Sequence, residues 1–309
     1  MPRVFFVIRE FVLRHNHVPD QQTLRSSFVQ KKEFSARDRI DELASIARAA
    51  DRLGYHHLTC SEHVAISAES HSTMLGGGRG TRYWDPLATF GHLSAVTTSI
   101  RLVTSVLVLG YHHPLEIAKR YGTLDLVSGG RLVLGVGVGT ATEEFDLLGV
   151  PFDDRGARAD DALRALRASL SRRQPSYDGE FYRFDGLVVD PHALQDRVPL
   201  WVGGASSRAL RRAVQLGDGW LPAAIEPDLL RERLARWPEL PPGFDVSARP
   251  PEALDPVGAP ERTKQLLKSM QSAGTTILEA RFVHESLSHY LEQLEALVPL
   301  ARETSGAPA

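Results

Sequence analysis

The chain has a single cysteine, Cys60, in 309 residues. An internal disulfide and a cysteine zinc cluster are therefore excluded, and the fold must hold by packing. A small buried side chain ending a strand is the expected state of that cysteine. Long apolar runs are missing too. The longest stretch without Asp, Glu, Lys or Arg is the 15 residues from Pro86 to Ile100, whereas a membrane span needs about 20 apolar residues. The N-terminus turns charged at Arg9 and Glu10, before a signal-peptide core can form, and no small-residue cleavage site follows. These absences predict a cytoplasmic protein. Charge of one sign is also not in excess: 36 Lys and Arg face 38 Asp and Glu, a net charge of -2, with the signs interleaved. Neither a nucleic-acid nor a membrane partner is expected.

What is present is ordinary globular composition, 42% hydrophobic and 24% charged, in a chain long enough to bury about 75% of its unfolded surface. Its periodicity alternates strand and helix. Val4 to Ile8 is a short apolar strand, and Ser35 to Leu53 carries a helical stripe stopped by Gly54. His56 to Cys60 is the second strand, and Asp85-Pro86 opens a helix with an N-cap side chain and a first-turn proline. Arg101 to Leu109 is continuous enough to be a strand covered on both faces, as parallel strands are. The helix from Pro114 stops at Ser128-Gly129-Gly130, and Arg131 to Val136 and Ala157 to Leu170 form the fourth pair. Tyr177 to Asp190 predicts an excursion hairpin. Later strands are expected at Leu200–Val202, Gly219–Leu221, Phe244–Arg249 and Thr275–Phe282, with helices at Ser207–Leu216, Asp228–Trp237, Pro260–Ser272 and Leu287–Ala301. Eight βα units in about 300 residues predict one (β/α)8 TIM barrel over residues 1–309, with insertion loops near 9–34, 64–82 and 174–198. A doubly wound α/β sheet is the alternative.

In such barrels chemistry sits at the C-terminal strand ends. Gly203-Gly204-Ala205-Ser206-Ser207 ends a strand and starts a helix, so backbone N–H groups and two hydroxyls can converge on a phosphate; a tight turn with a serine N-cap is the plainer alternative. Gly135-Val136-Gly137-Val138-Gly139 lacks the third glycine of a dinucleotide fingerprint, because residue 140 is threonine. Thr140-Ala141-Thr142-Glu143 spells a capping box instead, and the glycines let a flat ligand approach the backbone. Glu62 and His63 stand at the tip of the second strand, where a histidine can trade a proton with a reactant. The pairs His56-His57 and His112-His113 have no metal-ligand spacing, so no metal is expected. A serine-hydrolase elbow and a Walker A loop are both missing.

One stretch, Tyr83 to Asp161, carries a more specific pattern. Its marks are Trp84-Asp85-Pro86-Leu87, Ile100-Arg101-Leu102, His113-Pro114, Lys119, Leu124-Asp125, the run Ser128 to Gly137, and Glu144-Phe145. In these residues, in Ala50 to Tyr55, in Ser61-Glu62-His63 and over Pro199 to Trp220, the chain resembles the bacterial-luciferase-like flavin and deazaflavin oxidoreductases. The branch using coenzyme F420 looks nearest, because Thr104-Ser105-Val106 matches the segment where that branch carries a bulge made by a non-prolyl cis peptide.

The resemblance implies a cis Ser105-Val106 bond under a deazaflavin ring, the ring beside His63, its edge near Val138-Gly139-Thr140, and the phosphate on Gly203, Gly204, Ala205, Ser206 and Ser207. Thr140 stands where the sugar-phosphate dehydrogenases of the family carry a glutamate, and Glu62 where they carry an aspartate, so their substrate does not carry over. The implied activity is F420-dependent hydride transfer to or from a small organic substrate, with His63 exchanging the proton and Glu62 tuning it. Arg14, His15, His17 and the Arg25 to Lys32 segment would wall the substrate entrance. The alternatives are an FMN-dependent monooxygenase using reduced flavin from a flavin reductase, and a non-catalytic protein that binds flavin or deazaflavin. The resemblance also implies a homodimer.

Overall fold

The computed structural model of the chain describes residues 5–8, 36–65 and 83–305. The expected loop at 9–34, with its substrate-entrance residues, and most of the loop at 64–82 lie outside the described residues. The strands of the main sheet are β1 (Phe5–Ile8), β2 (His57–Cys60), β3 (Arg101–Thr104), β4 (Leu107–Val108), β5 (Leu132–Gly137), β8 (Leu200–Gly203), β9 (Gly219–Ala224), β10 (Asp245–Arg249) and β11 (Ile277–Ala280). Between β5 and β8, Tyr177–Asp178 (β6) and Arg183–Phe184 (β7) make a separate two-stranded ribbon. The main sheet runs β3-β2-β1-β11-β10-β9-β8-β5-β4, and β3 also pairs with β5 through Leu102↔Leu132 and Val103↔Val133. The sheet therefore closes on itself, with β3 and β4 as two halves of one stave. This is the eight-staved parallel barrel that the rhythm predicts, and closure excludes the open doubly wound sheet.

Helices alternate with the staves: α1 (Ala36–Leu53), α2 (Pro86–Ser94), α3 (Pro114–Val127), α4 (Thr142–Leu148), α5 (Arg155–Ser169), α6 (Ser207–Leu216), α7 (Pro227–Leu234), α8 (Pro260–Ser272) and α9 (Leu287–Ser305). Strand alternation sorts the core into two layers. Leu102, Leu132, Leu134, Leu200, Val202 and Trp220 face the helices and pack with Ile46, Phe90, Ile117, Leu163 and Leu294. Val103, Val133, Trp201, Leu221 and Ile277 fill the barrel. Cys60 ends β2, 3% exposed, in the outer layer. No helix among the described residues is long and apolar enough to cross a membrane.

The motif that is most recognisable in the sequence works as a lock at the N-terminal end of the barrel. Gly129 and Gly130 take positive φ values of 71° and 79° to end α3. Arg131 then donates to the carbonyls of Ser128 (2.6 Å), Ile100 (3.1 Å) and Ser94 (2.9 Å) and to Thr97 Oγ1 (2.8 Å). Asp125, fully buried, accepts from Leu132 N and from Gln195 N and Nε2. At the same end Trp201 packs edge-on against His57, with ring centroids 5.3 Å apart, and His56 and His57 meet through their Nδ1 atoms at 2.8 Å.

Three expectations are corrected. The strand expected over Arg101 to Leu109 is broken, because a bulge with a cis Ser105-Val106 peptide separates β3 from β4 and a 3-10 turn takes Leu109–Tyr111. The capping box at Thr140 does not form: α4 starts at Thr142 with Ala141 at the N-cap and no side-chain cap. The Tyr177 to Asp190 hairpin shrinks to the pairs Tyr177↔Phe184 and Asp178↔Arg183.

Candidate active site

The bulge after β3 is the floor of the C-terminal face, and glycines make room for it. A Cβ at Gly137 would stand 2.6 Å from Val106 Cγ2, one at Gly203 2.5 Å from Val106 Cγ1, and one at Gly135 1.9 Å from the Thr104 carbonyl oxygen. The glycine run read as a place for close ligand approach is thus first a place for close approach by the protein's own bulge. Above it Val138 and Gly139 are half-buried and Thr140 is exposed. Arg155, lying over the Phe152 ring, donates to the Gly139 carbonyl at 3.2 Å.

Glu62 and His63 leave the tip of β2 for different partners. Glu62 is buried, accepting from Val108 N and from His112 Nε2, each at 2.7 Å. It clips β4 and the following turn to β2. Burial opposes the charge on His112, but the Glu62 hydrogen bond and the nearby Glu62 and Glu116 charges raise its pKa above the ordinary value. His63 instead has Nδ1 2.8 Å from Glu144 Oε2, and its ring lies 4.3 Å from that of Tyr83, centroid to centroid. The expectation that Glu62 tunes His63 is corrected: the carboxylate bonded to His63 belongs to Glu144.

Glu144 sits in the first turn of α4, 3% exposed. Besides His63 it accepts from Val64 N (2.7 Å), Ala65 N (3.3 Å) and the Tyr111 hydroxyl (3.2 Å). Burial and the Glu144 charge push the Tyr111 phenol well above its ordinary range. The neighbouring Phe145 fixes the helix, filling the space that Gly110 and Gly139 leave and packing on Tyr111 and Phe152.

The segment read as a phosphate cradle lies exposed where β8 passes into α6. Gly204, at φ 111°, gives its carbonyl to Trp220 Nε1 at 2.8 Å. Gly204, Ala205 and Ser206 are exposed, and Ser206 caps α6 by accepting from Ala209 N. The serine cap of the plainer reading is therefore present, and it leaves the first-turn amides to partners outside the helix. Arg233 and Arg236 converge on Ser207 Oγ at 2.6 and 3.4 Å.

The structure thus gathers Glu62, His63, Ser105, Val106, Val138, Gly139 and Thr140 around one set of strand ends, with 203–207 on the same face. Sequence reasoning missed the roles of Glu144, Tyr111, His112, Arg155, Arg233 and Arg236. The Glu144-Phe145 pair was the available signal, read as a family mark without a partner.

A closed parallel barrel whose strand ends carry a glycine-lined bulge as floor, a histidine–carboxylate pair and a basic cradle is the architecture of a small-molecule enzyme. The family model for luciferase-like monooxygenases matches residues 13–256. The chain belongs to that family and is an oxidoreductase. It is 33% identical over 198 residues to uncharacterized protein Rv0940c of Mycobacterium tuberculosis, covering 62% of this chain and 68% of that one. It is 29% identical over 185 residues to the FMNH(2)-dependent dimethylsulfone monooxygenase of Pseudomonas putida, covering 59% and 48%. Among solved structures, an F420-dependent secondary alcohol dehydrogenase in complex with an F420-acetone adduct superposes with a TM-score of 0.73 at 13% identity, over 97% of this chain and 99% of that one.

Proposed function

We propose that the protein is a hydride-transfer oxidoreductase that uses the deazaflavin F420 with a small organic substrate. The observation that carries the reading is the Val106 bulge seated against Gly137 and Gly203, where a Cβ at either position would collide with it. Such a floor suits a flat heterocycle, with Val138 and Gly139 beside it and the 203–207 segment available for an anionic tail. Arg233 and Arg236 add positive charge behind Ser207. The chemistry supplied by the ring, when bound, is two-electron hydride transfer.

The chain's own residues do the rest. His63, with one-third of its side chain exposed, holds or releases the proton that accompanies the hydride. Glu62 fixes the bulge through Val108 N and, through His112, the turn after β4. FMN is the second reading, supported by the resemblance to the dimethylsulfone monooxygenase.

Titration of the purified apoprotein with F420 and with FMN, followed by fluorescence, tests the choice. Saturable F420 binding at micromolar concentration is expected. Micromolar binding of FMN with none of F420 overturns the proposal in favour of a monooxygenase.

A further inference from the structure

Four donors meet one buried carboxylate at the edge of this site. Two of them, Val64 N and Ala65 N, are backbone amides on Glu144 Oε1, and one is the Tyr111 hydroxyl on Oε2. An ionised carboxylate only accepts, so the fourth partner, His63 Nδ1 at 2.8 Å from Oε2, is a donor as well. In a neutral histidine ring a proton on Nδ1 leaves Nε2 as the basic nitrogen, the tautomer being set by the hydrogen bond that the other nitrogen makes.

We infer that Glu144 is the positioning residue of the site: it locks His63 as the Nδ1–H tautomer and thereby makes Nε2 the atom that exchanges the proton. The inference deepens the role given to His63 above and rests on that reading for its purpose. Glu62 is not the partner of His63: its oxygens are directed to Val108 N and His112, and the carboxylate at His63 Nδ1 is that of Glu144. Glu144 is also rigid where it stands. Phe145 is fully buried in the space left by Gly110 and Gly139, where a Cβ would come within 2.7 and 2.6 Å of its ring. The hydrogen bonds to Val64 and Ala65 hold the chain just beyond His63, so ring and backbone are oriented from a single carboxylate. Tyr83, its ring 4.3 Å from that of His63, centroid to centroid, restricts the tilt of the imidazole.

The test uses the unliganded full-length protein labelled with 15N, at a pH where the ring is neutral, with His63 assigned by difference against a His63→Gln variant. Long-range 1H–15N correlations are expected to show Nδ1 at a protonated shift and Nε2 at an unprotonated one. In Glu144→Gln the two backbone amides retain the side-chain oxygen, which turns the NH2 toward His63. Nδ1 must then accept, and the two nitrogen shifts exchange places. A wild-type ring protonated on Nε2 overturns the inference, and so does a Glu144→Gln spectrum unchanged from wild type. Because no cofactor is involved, failure to bind F420 overturns the reading in the preceding section and leaves this measurement to judge Glu144 independently.

Discussion

At positions 137 and 91 the same change, glycine to alanine, has opposite physical consequences. The Cβ of Gly137→Ala would stand 2.6 Å from Val106 Cγ2, in the floor of the site. Gly91 lies exposed within α2, with nothing within 4 Å of the added carbon. Gly91→Ala is therefore expected to stabilise by about 0.5–1 kcal/mol, chiefly through the entropy of the unfolded chain. Gly137→Ala must shift the bulge, at a cost of about 1–3 kcal/mol, and should weaken F420 binding. Urea midpoints of the two variants check the signs; a Gly137→Ala protein as stable as wild type would show that the floor is slack. Much of this site was legible one residue at a time, since strand-end position singled out Glu62 and His63 and small size singled out the glycines. Pairing was not legible. His63 finds its carboxylate 81 residues away, while the adjacent Glu62 is drawn to His112, and no local pattern distinguishes these two arrangements.

Elements were read best where one periodicity ran undisturbed, as in β5, whose alternating Leu132, Val133 and Leu134 supply both core layers. They were read worst where tertiary contacts override propensity. The apolar run Arg101 to Leu109 has the composition of one strand, yet Glu62 captures Val108 N and the chain bulges between β3 and β4. The conspicuous Ser128-Gly129-Gly130-Arg131 run proves to join elements rather than to bind ligand. Arg131 ties the end of α2 and the start of β3 to the turn before β5, at the opposite end of the barrel from His63. Arg131→Met removes all four hydrogen bonds and leaves their carbonyl acceptors without the guanidinium. The expected loss is about 2–4 kcal/mol of unfolding free energy, with F420 affinity of the folded protein changed less than about twofold, since nothing at the binding end moves. Denaturation followed by titration measures both, and an affinity that falls in step with stability would refute the separation of the two ends.

For the molecule as a whole, the histidine pair at the N-terminal end of the barrel has a large part in the response to acid. His56 is pushed down to about 4 by burial and by the Arg101 charge, and the fully buried His57 lies well below its ordinary value for the same reasons and through His56. His57 Nε2 has no hydrogen-bond partner among the described residues, so protonation there would bury an unmatched N–H. An unfolded histidine takes its proton near pH 6.5. Both groups therefore contribute stability that is complete above about pH 6.5 and is lost as pH falls toward 4, where only the unfolded chain binds the protons. Asp245 acts in the opposite sense. Burial raises it to about 6 against the pull of Arg101, so between pH 6 and about 4 the folded state binds a proton that the unfolded state does not, and stability rises on acidification. The His56 and Asp245 terms are each of the order of 2 kcal/mol once solvent screening is allowed for, and His57 acts in the same direction as His56. His112, raised against its burial by Glu62, favours the folded state on acidification as Asp245 does, whereas His284, lowered by burial, acts with His56 and His57. The three lowered histidines outweigh the two raised groups, so the urea midpoint should fall between pH 7 and pH 5. In Asp245→Asn one opposing contribution is gone, and the fall should steepen. A midpoint that holds level or climbs over that interval, or an Asp245→Asn protein with a shallower dependence, would mean that the paired histidines are protonated in the folded barrel.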